Sequence, residues 1–192
     1  MMKYCIVLLV LAELTACTSP EKPAEKSLEV INKLPDSLLI KPGESIGNIK
    51  LDDDMQALTM QSGKPDENDA AMGSASYTWF ARHDAAGYRT SVYGHRNFGA
   101  ADENIMHIKK ILVNSPTYVT SDGIHTGTGR DSLNRFFQLT DSSKYSVKGK
   151  IVHVFADVSK GIAFEIDSLT RKCTAISIFK PSDTSAVYIN MY

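Results

Sequence analysis

The chain has 192 residues, of which 43% are apolar and 22% charged, and its formal net charge is −1. These are the proportions of a globular protein with one ordinary domain or two small ones. A near-neutral balance, with no basic stripe interleaved with aromatics, excludes an electrostatic case for nucleic acid as partner.

The first element is Met1-Met-Lys3 followed by the apolar run Tyr4 to Ala12. About 20 apolar residues are needed to cross a bilayer as a helix, so this run reads as a secretory signal, residues 1–16, and not as a span. It closes on Leu14-Thr-Ala-Cys17, which resembles the bacterial lipobox; Glu13 is the one departure. The resemblance implies that Cys17 becomes the lipidated first residue, anchored in the bilayer by its acyl chains. Thr18 after it implies the outer membrane. Residues 17–36 then form a tether: Thr18 to Ser27 is polar and Pro-bearing, and Leu28, Ile31 and Leu34 recur at helical spacing until Pro35 stops them. With Cys5 removed and Cys17 acylated, Cys173 stands alone in an apolar strand pattern, which predicts a buried, inert thiol and no intramolecular disulfide.

The remainder reads as one design written twice, residues 37–116 and 117–192. Leu39-Ile-Lys-Pro-Gly43 lies over Val119-Thr-Ser-Asp-Gly123, and Asp53 to Leu58 over Asp131 to Phe136. Thr78-Trp-Phe-Ala81 matches His153-Val-Phe-Ala156, and Ile108 to Pro116 matches Cys173 to Pro181. In the first copy an extended segment, Ser37 to Ile40, turns at Pro42-Gly43 and leads to a helix capped by Asp52 or Asp53 and ended by Gly63-Lys-Pro65. Strand patterns follow at Tyr77 to Ala81, Tyr88 to Tyr93 and Ile105 to Val113. The second copy repeats them at Lys150 to Ala156, Ile162 to Ile166 and Cys173 to Phe179. Alternation in Ile162, Phe164 and Ile166 predicts a sheet with one buried face, and Val187 to Tyr192 predicts one more strand. The expected fold is α+β: two tandem repeats, each a short helical segment packed on an antiparallel meander of three to four strands, with the other sheet face left for water or a partner.

On Ile46-Gly-Asn-Ile-Lys-Leu51, Gly63-Lys-Pro65 and Gly123-Ile-His-Thr-Gly127, and over roughly residues 38–181, this tandem unit resembles the fold of beta-lactamase inhibitory protein and of the small outer-membrane assembly lipoproteins of the BamE/SmpA type. The resemblance implies a concave sheet that binds other proteins, without catalysis or cofactor. It transfers no functional residue.

The copies differ most in one loop, Gly94 to Asn104, where the second copy has only Asp167 to Arg171. Loops longer than a fold needs concentrate function, and His95, Arg96 and Phe98 are residue types enriched at binding hot spots. These three are the candidate partner-binding residues. His83, Asp84, His95, Asp102 and Glu103 lack the spacing of a zinc site, so no metal is expected. Gly123 to Gly129 around His125 lacks the Gly-Lys-Ser/Thr ending of a phosphate loop, and no Gly-x-Ser-x-Gly elbow marks a hydrolase. Asp52, Asp53 and Asp54 read as a helix N-terminus, and Trp79 and Phe80 as core. The sequence therefore points to a lipid-anchored cell-envelope protein that binds an envelope protein or peptide with no catalytic residues and no cofactor. The alternative is a small-ligand receptor or hydrolase with a site in the cleft between the repeats, which requires at least two of His83, His95, His125 and His153 to converge on one pocket.

Overall fold

The structure, a computed structural model, describes residues 34–147 and 149–192. The signal, Cys17 and most of the tether, including Leu28 and Ile31, lie outside the described residues. The described part is α+β, dominated by sheet. A 3-10 turn at Asp36–Leu38 leads into three short strands, β1 (Leu39–Lys41), β2 (Ser45–Ile46) and β3 (Ile49–Lys50), and then helix α1 (Met55–Ser62). Four strands follow: β4 (Glu67–Ala71), β5 (Ser74–Phe80), β6 (Arg89–Arg96) and β7 (Met106–Val113). After β8 (Val119–Thr120) and the one-turn helix α2 (Arg130–Leu133) come β9 (Thr140–Val147), β10 (Lys150–Asp157), β11 (Ile162–Asp167) and β12 (Cys173–Phe179), and last the short helix α3 (Thr184–Val187).

The strands form two sheets. Eight of them make one continuous antiparallel sheet in the order β4-β5-β6-β7-β12-β11-β10-β9, two meanders joined where β7 pairs with β12. A small sheet, β3-β2-β1-β8, stands apart, and in it β1 and β8 run parallel with Leu39 opposite Val119 and Ile40 opposite Thr120. Those are the residues that the sequence comparison equated.

One face of the large sheet carries the main core. Ile108, Ile111, Val113, Phe164, Ile176 and Ile178 from the strands meet Ile40 and Ile46 of the small sheet, Met55 and Leu58 of α1, and Leu133 and Phe137 at α2. The helix α1 starts at Asp54, whose Oδ1 accepts from Gln56 N at 2.8 Å. It comes close to the sheet because β6 has Gly94 beneath it: a Cβ there would stand 2.6 Å from Met55 Sδ. The cap expected at Asp52 or Asp53 thus falls one or two residues later, at Asp54. Asp52 has a left-handed φ of 66° and ties the helix approach to the sheet, its N–H donating to Ile108 O at 2.8 Å. Burial alone would raise its carboxyl pKa, but the Lys180 and Lys109 ammonium groups hold it below the usual range.

Four expectations need correction. Val187 to Tyr192 does not add a strand; Asp183 caps α3 by accepting from Ser185 and Ala186 N–H, and the segment then runs irregularly across the second face of the sheet. That face is consequently not left open at its centre. Ala186 and Val187 pack on Val154, Ala156, Ala163 and Phe179, while Met191 packs on Leu112 and Ala175. For the same reason β11 is buried on both faces and not on one. Two strands, β4 and β9, were not anticipated. They are the sheet's edges, and β4, Glu67-Asn-Asp-Ala-Ala71, is exposed throughout, so it carries no hydrophobic period and its charges guard the edge against further pairing. The helix expected over Asp131 to Phe136 contracts to α2, ending in a turn in which Phe136 and Phe137 N–H both donate to Leu133 O. Cys173 is buried, as its strand pattern predicts, and burial pushes its thiol pKa well up.

Beneath the C-terminal segment lies a buried polar network. Lys110 Nζ donates to the carbonyl oxygens of Ala186 at 2.9 Å, Val187 at 3.3 Å and Ile189 at 2.9 Å. Glu165 accepts from the Tyr192 hydroxyl, and the Arg89 guanidinium lies 3.4 Å from the centre of the Tyr192 ring. Burial lowers the Lys110 pKa to about 8 and raises that of Glu165.

Candidate functional site

Two turns meet at one end of the large sheet, the β4–β5 hairpin with Met72 and Gly73 and the connection from β6 to β7. Strand β6 extends further than its sequence pattern, so His95 and Arg96 are strand residues and the loop proper is 97–105. Of the three candidates, His95 and Phe98 are brought together, their rings edge to face at 5.8 Å. Phe98 also lies on Gly73, where a Cβ would be 2.2 Å from the ring Cζ, and Arg96 N–H donates to Gly73 O at 2.9 Å. The loop is internally braced. Glu103 Oε2 accepts from Gly99 N–H at 3.1 Å, Asn97 Oδ1 accepts from Lys109 Nζ at 3.2 Å, and Asp102 reaches within 2.8 Å of His107 Nε2. This brace leaves two large apolar side chains in water, Met72 at 95% and Phe98 at 66% exposure. Met72 is a residue the sequence reading passed over. Its sequence signal is a large apolar side chain directly before Gly73, after the polar run Glu67 to Asp69; in the fold it holds a left-handed φ of 50°.

The histidines do not converge. His83 pairs with Asp66 at 2.6 Å, and that carboxyl, which also accepts from Phe80 N–H, is held below the usual range by both. His83 lines a depression of about 370 Å³ with Ser37, Tyr118 and Trp79, whose indole N–H donates to Gly63 O at 3.1 Å. His125 turns back on its own loop, Nδ1 2.7 Å from Thr126 O. His153 lines a separate depression of about 310 Å³ at the end of β10 and β11, with Arg130, Asp141, Phe155, Ile166, Asp167, Ser168 and Arg171. No described depression is lined by two histidines. Among the described residues, no group of three or more His, Cys, Asp or Glu is arranged to hold a metal ion, and no helix is long and apolar enough to cross a membrane.

What the fold defines is a class, an α+β protein built on one broad antiparallel sheet. No family model matches the chain and no curated protein matches it. A solved structure of an extracellular protein containing a SCP domain from Bacillus anthracis str. Ames is similar at a TM-score of 0.41 and 11% identity, over 70% of this chain and 45% of that one. The chain thus spans less than half the length of that protein.

Proposed function

We propose that this is a non-catalytic lipoprotein of the bacterial cell envelope, anchored through Cys17, probing for a protein or peptide partner with the 97–105 loop and the adjoining β4–β5 turn. The observation that carries this reading is the pair of exposed apolar side chains, Met72 and Phe98, on neighbouring braced turns. Apolar side chains exposed together on adjoining turns make the kind of patch that marks a contact site, and preorganised tips lose little entropy on docking. Arg96 beside them suits a partner with an apolar pocket and an acidic rim. The sheet face that sequence reasoning assigned to the partner is taken at its centre by residues 184–192, which moves the contact to this end. Residues 37–116 and 117–192 are, in this reading, two copies of one unit. The parallel pairing of Leu39 with Val119 and Ile40 with Thr120 supports it, as does the place of one helix before each four-stranded meander. Ser37, at the start of the first unit, lines the depression with Trp79 and His83, at the opposite end of β5 from Met72.

The test is photo-crosslinking in the intact envelope, with a benzophenone side chain at position 72, at position 98 or at the equally prominent Leu169, 88% exposed at the other end of the sheet. A discrete protein adduct from position 98, absent from position 169 and lost when Met72→Ser is added, is the expected outcome. Absence of any adduct from positions 72 and 98 overturns the reading.

A further inference from the structure

The depression at the other end of the sheet has the chemistry of a site. Its floor is Phe155 and Ile166, and the His153 ring lies nearly parallel to Phe155, 14° between planes and 6.0 Å between centres. Arg130, first residue of α2, places its guanidinium carbon 3.9 Å from the centre of the Phe155 ring. Its Nε is shielded from water and has no hydrogen-bond partner, and its guanidinium is in no ion pair among the described residues.

The other charges around it are unevenly engaged. Asp167 Oδ1 accepts from Leu169 N–H, Thr170 N–H and the Thr170 hydroxyl at 2.7 to 3.0 Å, so it serves its own turn. Arg171 donates to Asp131 at 3.0 Å. Asp141, on the edge strand β9, is approached only at 3.3 Å by His153 Nδ1. What is left for a ligand in this lining is one guanidinium, one carboxylate and the His153 ring on its apolar floor.

We propose that this depression binds a small zwitterion of the amino-acid type. Its carboxylate takes the outer Nη end of the Arg130 guanidinium, its ammonium group takes Asp141, and an apolar or aromatic side chain lies against the part-exposed His153 ring. A guanidinium recognises a carboxylate through two parallel N–H bonds. Asp141 in the same lining disfavours a dianion such as phosphate, and about 310 Å³ is at the small end of ligand sites, enough for one amino acid. The site lies apart from Met72 and Phe98 and does not rest on the partner reading.

The test is equilibrium dialysis of the full, detergent-solubilised chain with labelled L-phenylalanine. L-phenylalaninamide, which lacks the carboxylate, and 3-phenylpropionate, which lacks the ammonium group, serve as competitors. We expect saturable binding in the millimolar range and competition at least about tenfold weaker from either analogue, the scale of a lost charged hydrogen bond. Arg130→Ala weakens binding at least about tenfold, whereas Arg82→Ala, remote and outside the depression, leaves it unchanged. Because Arg130 stacks on the core edge, its variant is checked by circular dichroism. Asp141→Asn, on an exposed strand, is the second variant and abolishes discrimination between L-phenylalanine and 3-phenylpropionate. No saturable binding, equal competition by either analogue, or wild-type affinity in a folded Arg130→Ala protein overturns the assignment.

Discussion

Phe98 rests its ring on the backbone of Gly73, so two turns that are 25 residues apart in the chain form one braced, apolar tip. Gly73 has φ +78°, and a Cβ there would stand 2.2 Å from Phe98 Cζ. Gly73→Ala should cost about 1–2 kcal/mol for the left-handed backbone alone and should push the Phe98 ring off its seat. Adducts from position 98 should then fall while those from position 72 persist, which crosslink yields at the two sites will check.

Lys110 holds the C-terminal segment through three carbonyl oxygens. Lys110→Met keeps the stem and removes the donors. Burial of the charge, which lowers its pKa from 10.5 to about 8, costs about 3 kcal/mol, and the substitution recovers that. Leaving buried carbonyls without donors costs about 1–3 kcal/mol each. The net loss should be about 2 kcal/mol, concentrated locally. Hydrogen exchange should show residues 184–192 losing protection while β7 and β12 keep theirs.

Burial raises the Glu165 pKa above its ordinary value, against the lowering pull of Tyr192, Tyr145, Arg89 and Lys110. A folded-state pKa above the unfolded one means that the native state binds the proton more tightly. The stability it contributes is therefore complete below about pH 4.5 and is lost as pH rises through the folded value. Carboxyls held low, such as Asp52 and Asp157, act in the opposite sense, losing their contribution as pH falls. The difference between wild type and Glu165→Gln isolates the first trend. Thermal melts from pH 4 to 8 should show the variant gaining relative stability as pH rises.

Gly161 closes the β10–β11 turn against the β1–β2 turn, its carbonyl accepting from Gly43 N–H at 3.3 Å. A Cβ at Gly161 would lie 2.2 Å from Phe179 O, and its φ is +67°. The Phe179 carbonyl is backbone and cannot swing away, and the left-handed φ strains any residue with a Cβ. Gly161→Ala should destabilise by about 2–4 kcal/mol, read as a fall in the urea midpoint without a change in slope.

The sequence by itself determined the local half of this structure. Apolar, strand-forming segments bounded by Gly, Asp or Asn placed β5, β6, β7, β10, β11 and β12 within a few residues, because antiparallel strands packed on a core are apolar and are joined by turns. The glycines at 43, 63 and 123 marked turns that adopt left-handed φ. The segments equated by internal comparison, Leu39-Ile40 and Val119-Thr120, turned out to pair side by side. Hydrophilic edges were illegible, because β4 and β9 are held by backbone bonds to one neighbour and their side chains answer to water.

Only the tertiary structure decided which surface is available. Val187 to Tyr192 has the composition of a strand, yet the Lys110 ammonium takes its carbonyl oxygens and the segment becomes a cover over the second sheet face. Likewise His95, Arg96 and Phe98 were legible as unusual, but their partner Met72 came from a turn distant in sequence. Arg130, Asp141 and Phe155 come from three different elements and share no spacing. Side-chain chemistry is written residue by residue, whereas convergence depends on pairing across the sheet: β5 against β6 sets Ser74 opposite His95 and so joins the two turns, and β9 against β10 sets Asp141 opposite Phe155.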